Sequence, residues 1–95
     1  MWHVTVTSKA ARQAERLPRH IQQRFDLLTK ELEVAGPIRA DWKNFGRLKT
    51  PKNIIRYHCH IKLGRPTYVA CWDVLDEEIR LLEINYVGTH ENAPY

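Results

Sequence analysis

Two histidines stand inside a basic frame at Arg56-Tyr-His-Cys-His-Ile-Lys62. Side chains alternate across a β-strand. As a strand, this stretch sends Arg56, His58, His60 and Lys62 to one face, and Ile55, Tyr57, Cys59 and Ile61 to the other. The second set suits a core; the first suits a phosphodiester. An imidazole can take or give a proton near working pH, because its unperturbed pKa is about 6.5. A third histidine lies near the C-terminus, in Gly88-Thr-His-Glu-Asn-Ala-Pro-Tyr95. Cleaving RNA without a metal requires a base for the 2′-hydroxyl, cations for the charge that builds on the phosphorane, and an acid for the leaving 5′-oxygen. His58, His60 and His90 are the candidates for the proton roles, and His58, on the face of His60, can also bind substrate or tune its neighbour. Arg56, Lys62 and Arg65 are the electrostatic clamps, and Tyr95 can stack on a base or hydrogen-bond the phosphate. His3 and His20 are expected on the surface.

The same histidines admit a rival chemistry. His58, His60 and His90 would make a three-histidine zinc set. Arg56 and Lys62 would repel a dication, and no carboxylate in the stretch offsets them. No metal and no cofactor are therefore expected. Cys59 faces away.

Charge supports a polyanionic partner. Between Arg39 and Trp72 eight basic residues face one acid, Asp41, a local net of +7 in a chain whose total is +4. Such asymmetry points first to nucleic acid. With 43% hydrophobic and 27% charged residues in 95, the chain reads as one globular domain spanning 1–95. No apolar run is long enough to cross a membrane, and the first residues lack the pattern of a signal peptide. Cys59 and Cys71 are expected to be reduced, buried thiols, as in a cytoplasmic protein.

The elements that must position these residues follow from patterning. Trp2–Thr7 alternates and is β-branched, a first strand. Ser8 can cap a helix through Leu17, and Pro18 opens a second one with Ile21, Phe25, Leu28, Leu32 and Ala35 on one face, closed by Gly36-Pro37. Residues 38–53 read as irregular and basic. Ile54–Lys62, Thr67–Val74 and Ile79–Val87 read as three strands in an antiparallel meander, the middle one central because it is nearly continuous in apolar residues. The last eight residues read as a polar tail. The expected architecture is α+β, in the order β-α-α-β-β-β, with the helical hairpin on one face of the sheet and the histidines on the other.

This order, with Cys59-His-Ile61 and Gly88-Thr-His90 placed on it, resembles the RelE/ParE superfamily of bacterial toxins over essentially the whole chain, and within it the YafQ branch of RelE-type endoribonucleases. The resemblance implies that His60 and His90 belong to an active site and that Tyr95 matches an aromatic residue beyond the second motif. It also implies that Arg47, Lys49, Arg56 and Arg65 are substrate-contacting cations. The YafQ pattern has an acid in the turn after Cys-His-Ile, whereas Lys62-Leu-Gly-Arg65 has none. The implied function is the toxin of a type II toxin–antitoxin system that cleaves mRNA on the ribosome. The implied partners are a cognate antitoxin, the ribosome and mRNA, with a monomer when free and an oligomer with antitoxin. Two alternatives share the fold: a gyrase-directed toxin of ParE type, against which the histidine set argues, and a degenerate member that only binds RNA or an antitoxin, which the missing acid motivates.

Overall fold

The computed structural model describes residues 1–95. The alternating N-terminus forms β1 (His3–Val6). Helix α1 (Ser8–Glu15) follows at once, and its cap is Thr7 rather than Ser8: the Thr7 hydroxyl accepts the Ala10 N–H at 3.1 Å. Pro18 precedes α2 (Arg19–Ala35), whose Ile21, Phe25, Leu28 and Leu32 are buried along one stripe. Gly36 ends this helix at φ 91°, with the Trp2 indole packed over its backbone.

Four strands complete the sheet: β2 (Lys43–Leu48), β3 (Ile55–Lys62), β4 (Tyr68–Asp76) and β5 (Leu81–Thr89). The spatial order is β1-β5-β4-β3-β2. β1 runs parallel to β5, and the remaining pairs are antiparallel. β4 is central, and Val69 through Asp73 are all buried. The architecture is the expected α+β arrangement with one more strand. β2 lies in the segment expected to be irregular, because its sequence carries little strand signal. It holds Gly46, a left-handed Asn44 at φ 55° and a register shift between Lys43 and Gly46. Pairing with β3 and the packing of Phe45 on Tyr57, with ring centroids 5.3 Å apart, make it an edge strand.

The helices cover one face of the sheet. The main core there joins the α2 stripe to Cys59, Ile61, Ala70, Trp72, Leu82, Ile84 and Val87. A small second cluster, Val69, Cys71 and Tyr86, lies apart from it. Strand alternation therefore puts Cys59 and Cys71 on opposite faces of the sheet, and both are free thiols. Burial pushes each of them up to about 12, so both stay protonated.

An added Cβ at Gly36 would sit 2.8 Å from the Trp2 Nε1 in a backbone conformation that L-residues avoid. Gly36→Ala is expected to cost about 2 kcal/mol, read as a fall in Tm of about 10 °C. An unchanged melt would show that Trp2 does not close this end of α2.

Candidate functional site

β3 lies on β4 so that Arg56 opposes Asp73, His58 opposes Cys71 and His60 opposes Val69. β5 adds Tyr86 opposite Cys71 and Gly88 opposite Val69. The second apolar cluster is thus a platform on the face away from the helices, and the two histidines stand at its edge. The chain then returns over it. The His90 N–H donates to the Thr67 carbonyl at 2.8 Å, and the Tyr86 hydroxyl donates to the Thr89 carbonyl at 2.6 Å. Gly88 is required by this arrangement, because a Cβ there would meet the Tyr86 hydroxyl at 2.8 Å. A short 3-10 turn, His90–Asn92, follows, and Ala93 packs onto the platform. The segment expected to be a polar tail is therefore docked.

That return closes a circuit of four rings. Centroid distances are 6.3 Å for His58–His60, 5.4 Å for His60–His90, 5.8 Å for His90–Tyr95 and 4.8 Å for Tyr95–His58. Beside it opens a cleft of about 720 Å³ lined by His60, Arg65, Thr67, His90 and Glu91, among others. No three His, Cys, Asp or Glu side chains are grouped so as to hold a metal ion.

The electrostatics divide the histidines. His58 and His60 are half-buried, whereas His90 is exposed. Desolvation lowers the pKa of His58, with further lowering from His60 and His90; His60 is lowered by desolvation and then by His90. Both are held toward the neutral imidazole, the form that accepts a proton. The Nδ1 atoms of both rings are buried without a hydrogen-bond partner. Buried polar atoms with no partner in the protein carry a desolvation cost. Tyr95 is pushed up to about 12, chiefly by desolvation, and so presents a hydroxyl donor.

Not every expected residue joins the circuit. Arg56 forms a bidentate pair with Asp73, Nε to Oδ1 at 2.6 Å and a second guanidinium nitrogen to Oδ2 at 2.9 Å. Asp73 is 7% exposed, and this pairing raises the Arg56 pKa. Arg56 is therefore a neutralised structural clamp rather than a free phosphate contact, and it no longer supplies the repulsion that argued against a metal. Lys62 also departs. A register shift after His60 pairs Lys62 with Tyr68, whose ring packs on the helix-side core, and Lys62 lines a second hollow, on the other side of His60, with His20 and Arg24. Arg47 opposes Tyr57 rather than His58 in the β2–β3 ladder, so alternation turns it away from the histidines. With Lys49 it borders a separate depression of about 430 Å³. Two residues of the site escape the reading of the sequence. Gly46 lies opposite His58 and leaves that ring open on the β2 side; a Cβ at Gly46 would stand 3.6 Å from the His58 Nε2. Glu91 brings a carboxylate to the cleft. Its one signal in the sequence is its place directly after His90, whereas the resemblance points for an acid to the Lys62–Arg65 turn.

No protein-family profile matches the chain, and no curated protein matches it. Among solved structures it is similar to a chain of the archaeal RelE–RelB complex of Pyrococcus horikoshii, at 15% identity and a TM-score of 0.75, covering 97% of this chain and 98% of that one. It is also similar to the isolated E. coli RelE toxin, at 16% identity and a TM-score of 0.68, covering 99% of this chain and 89% of that one. A mutant of E. coli RelE in the free state matches at 16% identity and a TM-score of 0.65, over 97% of this chain and 86% of that one. At these identities the likeness is one of fold.

The unpaired Nδ1 atoms give a stability test. A His held neutral in the fold takes up protons more readily when unfolded. Between the unfolded pKa, about 6.5, and the lowered folded values, stability therefore falls as pH falls. His58→Phe removes one such nitrogen and keeps a ring against Tyr95. It is expected to raise unfolding stability in urea by about 1 kcal/mol at neutral pH and to make the loss toward about pH 5 shallower. A variant less stable than its parent, with the same pH dependence, would refute the assignment.

Proposed function

We propose that this protein is the toxin of a type II toxin–antitoxin pair, a metal-independent endoribonuclease acting on mRNA at the ribosome. The observation that carries the reading is the gathering of His60, Arg65 and His90 from three separate chain segments around one cleft, with the Tyr95 ring against His90. The core sets the place of His60, but nothing in it requires Arg65 and His90 to meet it there.

Neutral His60 accepts the proton of the 2′-hydroxyl as that oxygen attacks phosphorus. The 2′-O–P bond forms and the P–O5′ bond breaks, leaving a 2′,3′-cyclic phosphate. His90, at the exposed side, delivers a proton to the departing 5′-oxygen. Arg65 offers a guanidinium to the phosphorane oxygens, and the Tyr95 hydroxyl donates to the same phosphate. His58 fixes Tyr95 by ring contact rather than by proton transfer. The histidine pair supports this reading over a gyrase-directed one, which would share the fold. The YafQ branch remains our reading of the two motifs.

The partner follows from the same surface. An antitoxin with an acidic or amphipathic segment would wrap the basic face and cover the cleft, as a chain that is monomeric when free and oligomeric with its antitoxin. The RelE of Pyrococcus horikoshii was solved in complex with RelB. We place the protein in the cytoplasm, where mRNA and ribosomes are met; no helix is long and apolar enough to cross a membrane.

Purified protein is expected to cut mRNA on translating ribosomes. His60→Ala and His90→Ala should each slow cleavage at least about tenfold, a conservative floor against the roughly 10²–10⁴-fold that a general acid or base contributes. Full activity in both variants would remove these two residues from the chemistry. Inhibition of gyrase supercoiling with no cleavage by the intact protein would favour the gyrase-directed alternative.

A further inference from the structure

His60 belongs to two hollows. One is the cleft with Arg65 and His90. The other, about 370 Å³, lies toward α2 and is lined by His20, Arg24, Lys43 and Lys62. These side chains come from three elements, α2, β2 and β3. No carboxylate lines this hollow. The ion pairs of the chain, Arg39–Glu31 and Arg56–Asp73, use none of its cations. Like charges gathered without acids repel one another and create a positive potential that an anion relieves.

The backbone is irregular at the two points that create this gathering. In β2 the register shifts between Lys43 and Gly46, with Asn44 left-handed at φ 55°, and Lys43 comes to lie opposite His60. In β3 the register shifts between His60 and Lys62. Bulges re-aim side chains at a cost to the ladder. Here two bulges on neighbouring strands flank the same histidine. Arg24 is held in place as well: its Nε donates to the Ile61 carbonyl, and its guanidinium lies 5.4 Å from the centre of the Trp42 ring. A part of the hollow is thus set before any ligand arrives.

We infer that this hollow is a second phosphate subsite, taking the phosphate next to the one cleaved. A single RNA strand then runs from the Arg65–His90 cleft, across His60, to α2. The strand as ligand rests on the endoribonuclease reading above; the preference for a phosphate rests on the hollow itself. It gives Lys43 and Lys62 the work of aligning the strand so that the scissile phosphate sits at His60, and it gives His20 a role that its surface position does not advertise.

The test uses the full chain and two probes without a 2′-hydroxyl, a deoxydinucleoside monophosphate and a deoxytrinucleoside diphosphate, with binding followed by NMR at several salt concentrations. The wild type should bind the second probe more tightly. The Lys43→Gln/Lys62→Gln double variant, checked for an unchanged fold by its amide spectrum, should lose that gain and show a salt slope smaller by about 0.7, the value for one single-strand phosphate contact. A double variant that keeps both the gain and the slope overturns the subsite while leaving the cleavage reading intact. If the wild type binds neither probe, inorganic phosphate decides. Shifts of the Lys43 and Lys62 amides keep the hollow as a phosphate site and overturn the RNA path; no shifts overturn both.

Discussion

The burial of one face of β3 and β4 under α2 is the constraint on which the rest depends. Cys59, Ile61, Ala70 and Trp72 are fully buried against the helix stripe. A side chain period of two then leaves His58 and His60 no other place than the opposite face. A slip of one residue would drive both imidazoles into the core and lift Cys59 and Ile61 out, which the buried apolar area forbids. The Arg56–Asp73 pair pins the same register from the far end of the strand. The position of the histidines is thus a by-product of how the core closes, and it is as rigid as the core.

The second face is finished by the chain end. Its platform of Val69, Cys71 and Tyr86 is too small to hold a segment by apolar burial alone. Directional bonds do it: His90 to Thr67, and Tyr86 to Thr89, with Gly88 leaving room for the tyrosine ring. The ring circuit therefore couples a strand in mid-sheet to the last residue. Two unpaired Nδ1 atoms remain within it. A fold tolerates such atoms where the surrounding packing over-determines them, and there they keep imidazoles neutral and available.

The positive charge of the middle segment is distributed by pairing and by register, not by sequence proximity. Arg56 is taken up by Asp73, Arg47 and Lys49 turn elsewhere, and two bulges gather Lys43 and Lys62 with α2 around His60. The residues that looked like one row along β3 are divided among three surroundings. His58 and His60 stay side by side on β3, and Arg65, from the following turn, lines the cleft with His60.

Much of this was determined by the sequence alone. The strand period separates Cys59 and Ile61 from His58 and His60, the stripe of α2 identifies the covered face, and the apolar run of β4 makes it central; each is a local pattern with a single way to be buried. The pairing of His60 with His90 followed from two short motifs and their resemblance. What the tertiary structure decided was everything that depends on a partner distant in the chain. β2 is a strand because β3 offers it a ladder, since Lys43–Leu48 has no pattern of its own. Arg56 loses its free charge because Asp73 lies opposite it, and Lys62 leaves the row because a bulge breaks the alternation. Glu91 reaches the cleft, and Tyr95 the rings of His58 and His90, because hydrogen bonds at Thr67 and Tyr86 turn the chain back. Alternation can be read residue by residue, but bulges, ion pairs and the path of a terminus are set by atoms that meet only after folding.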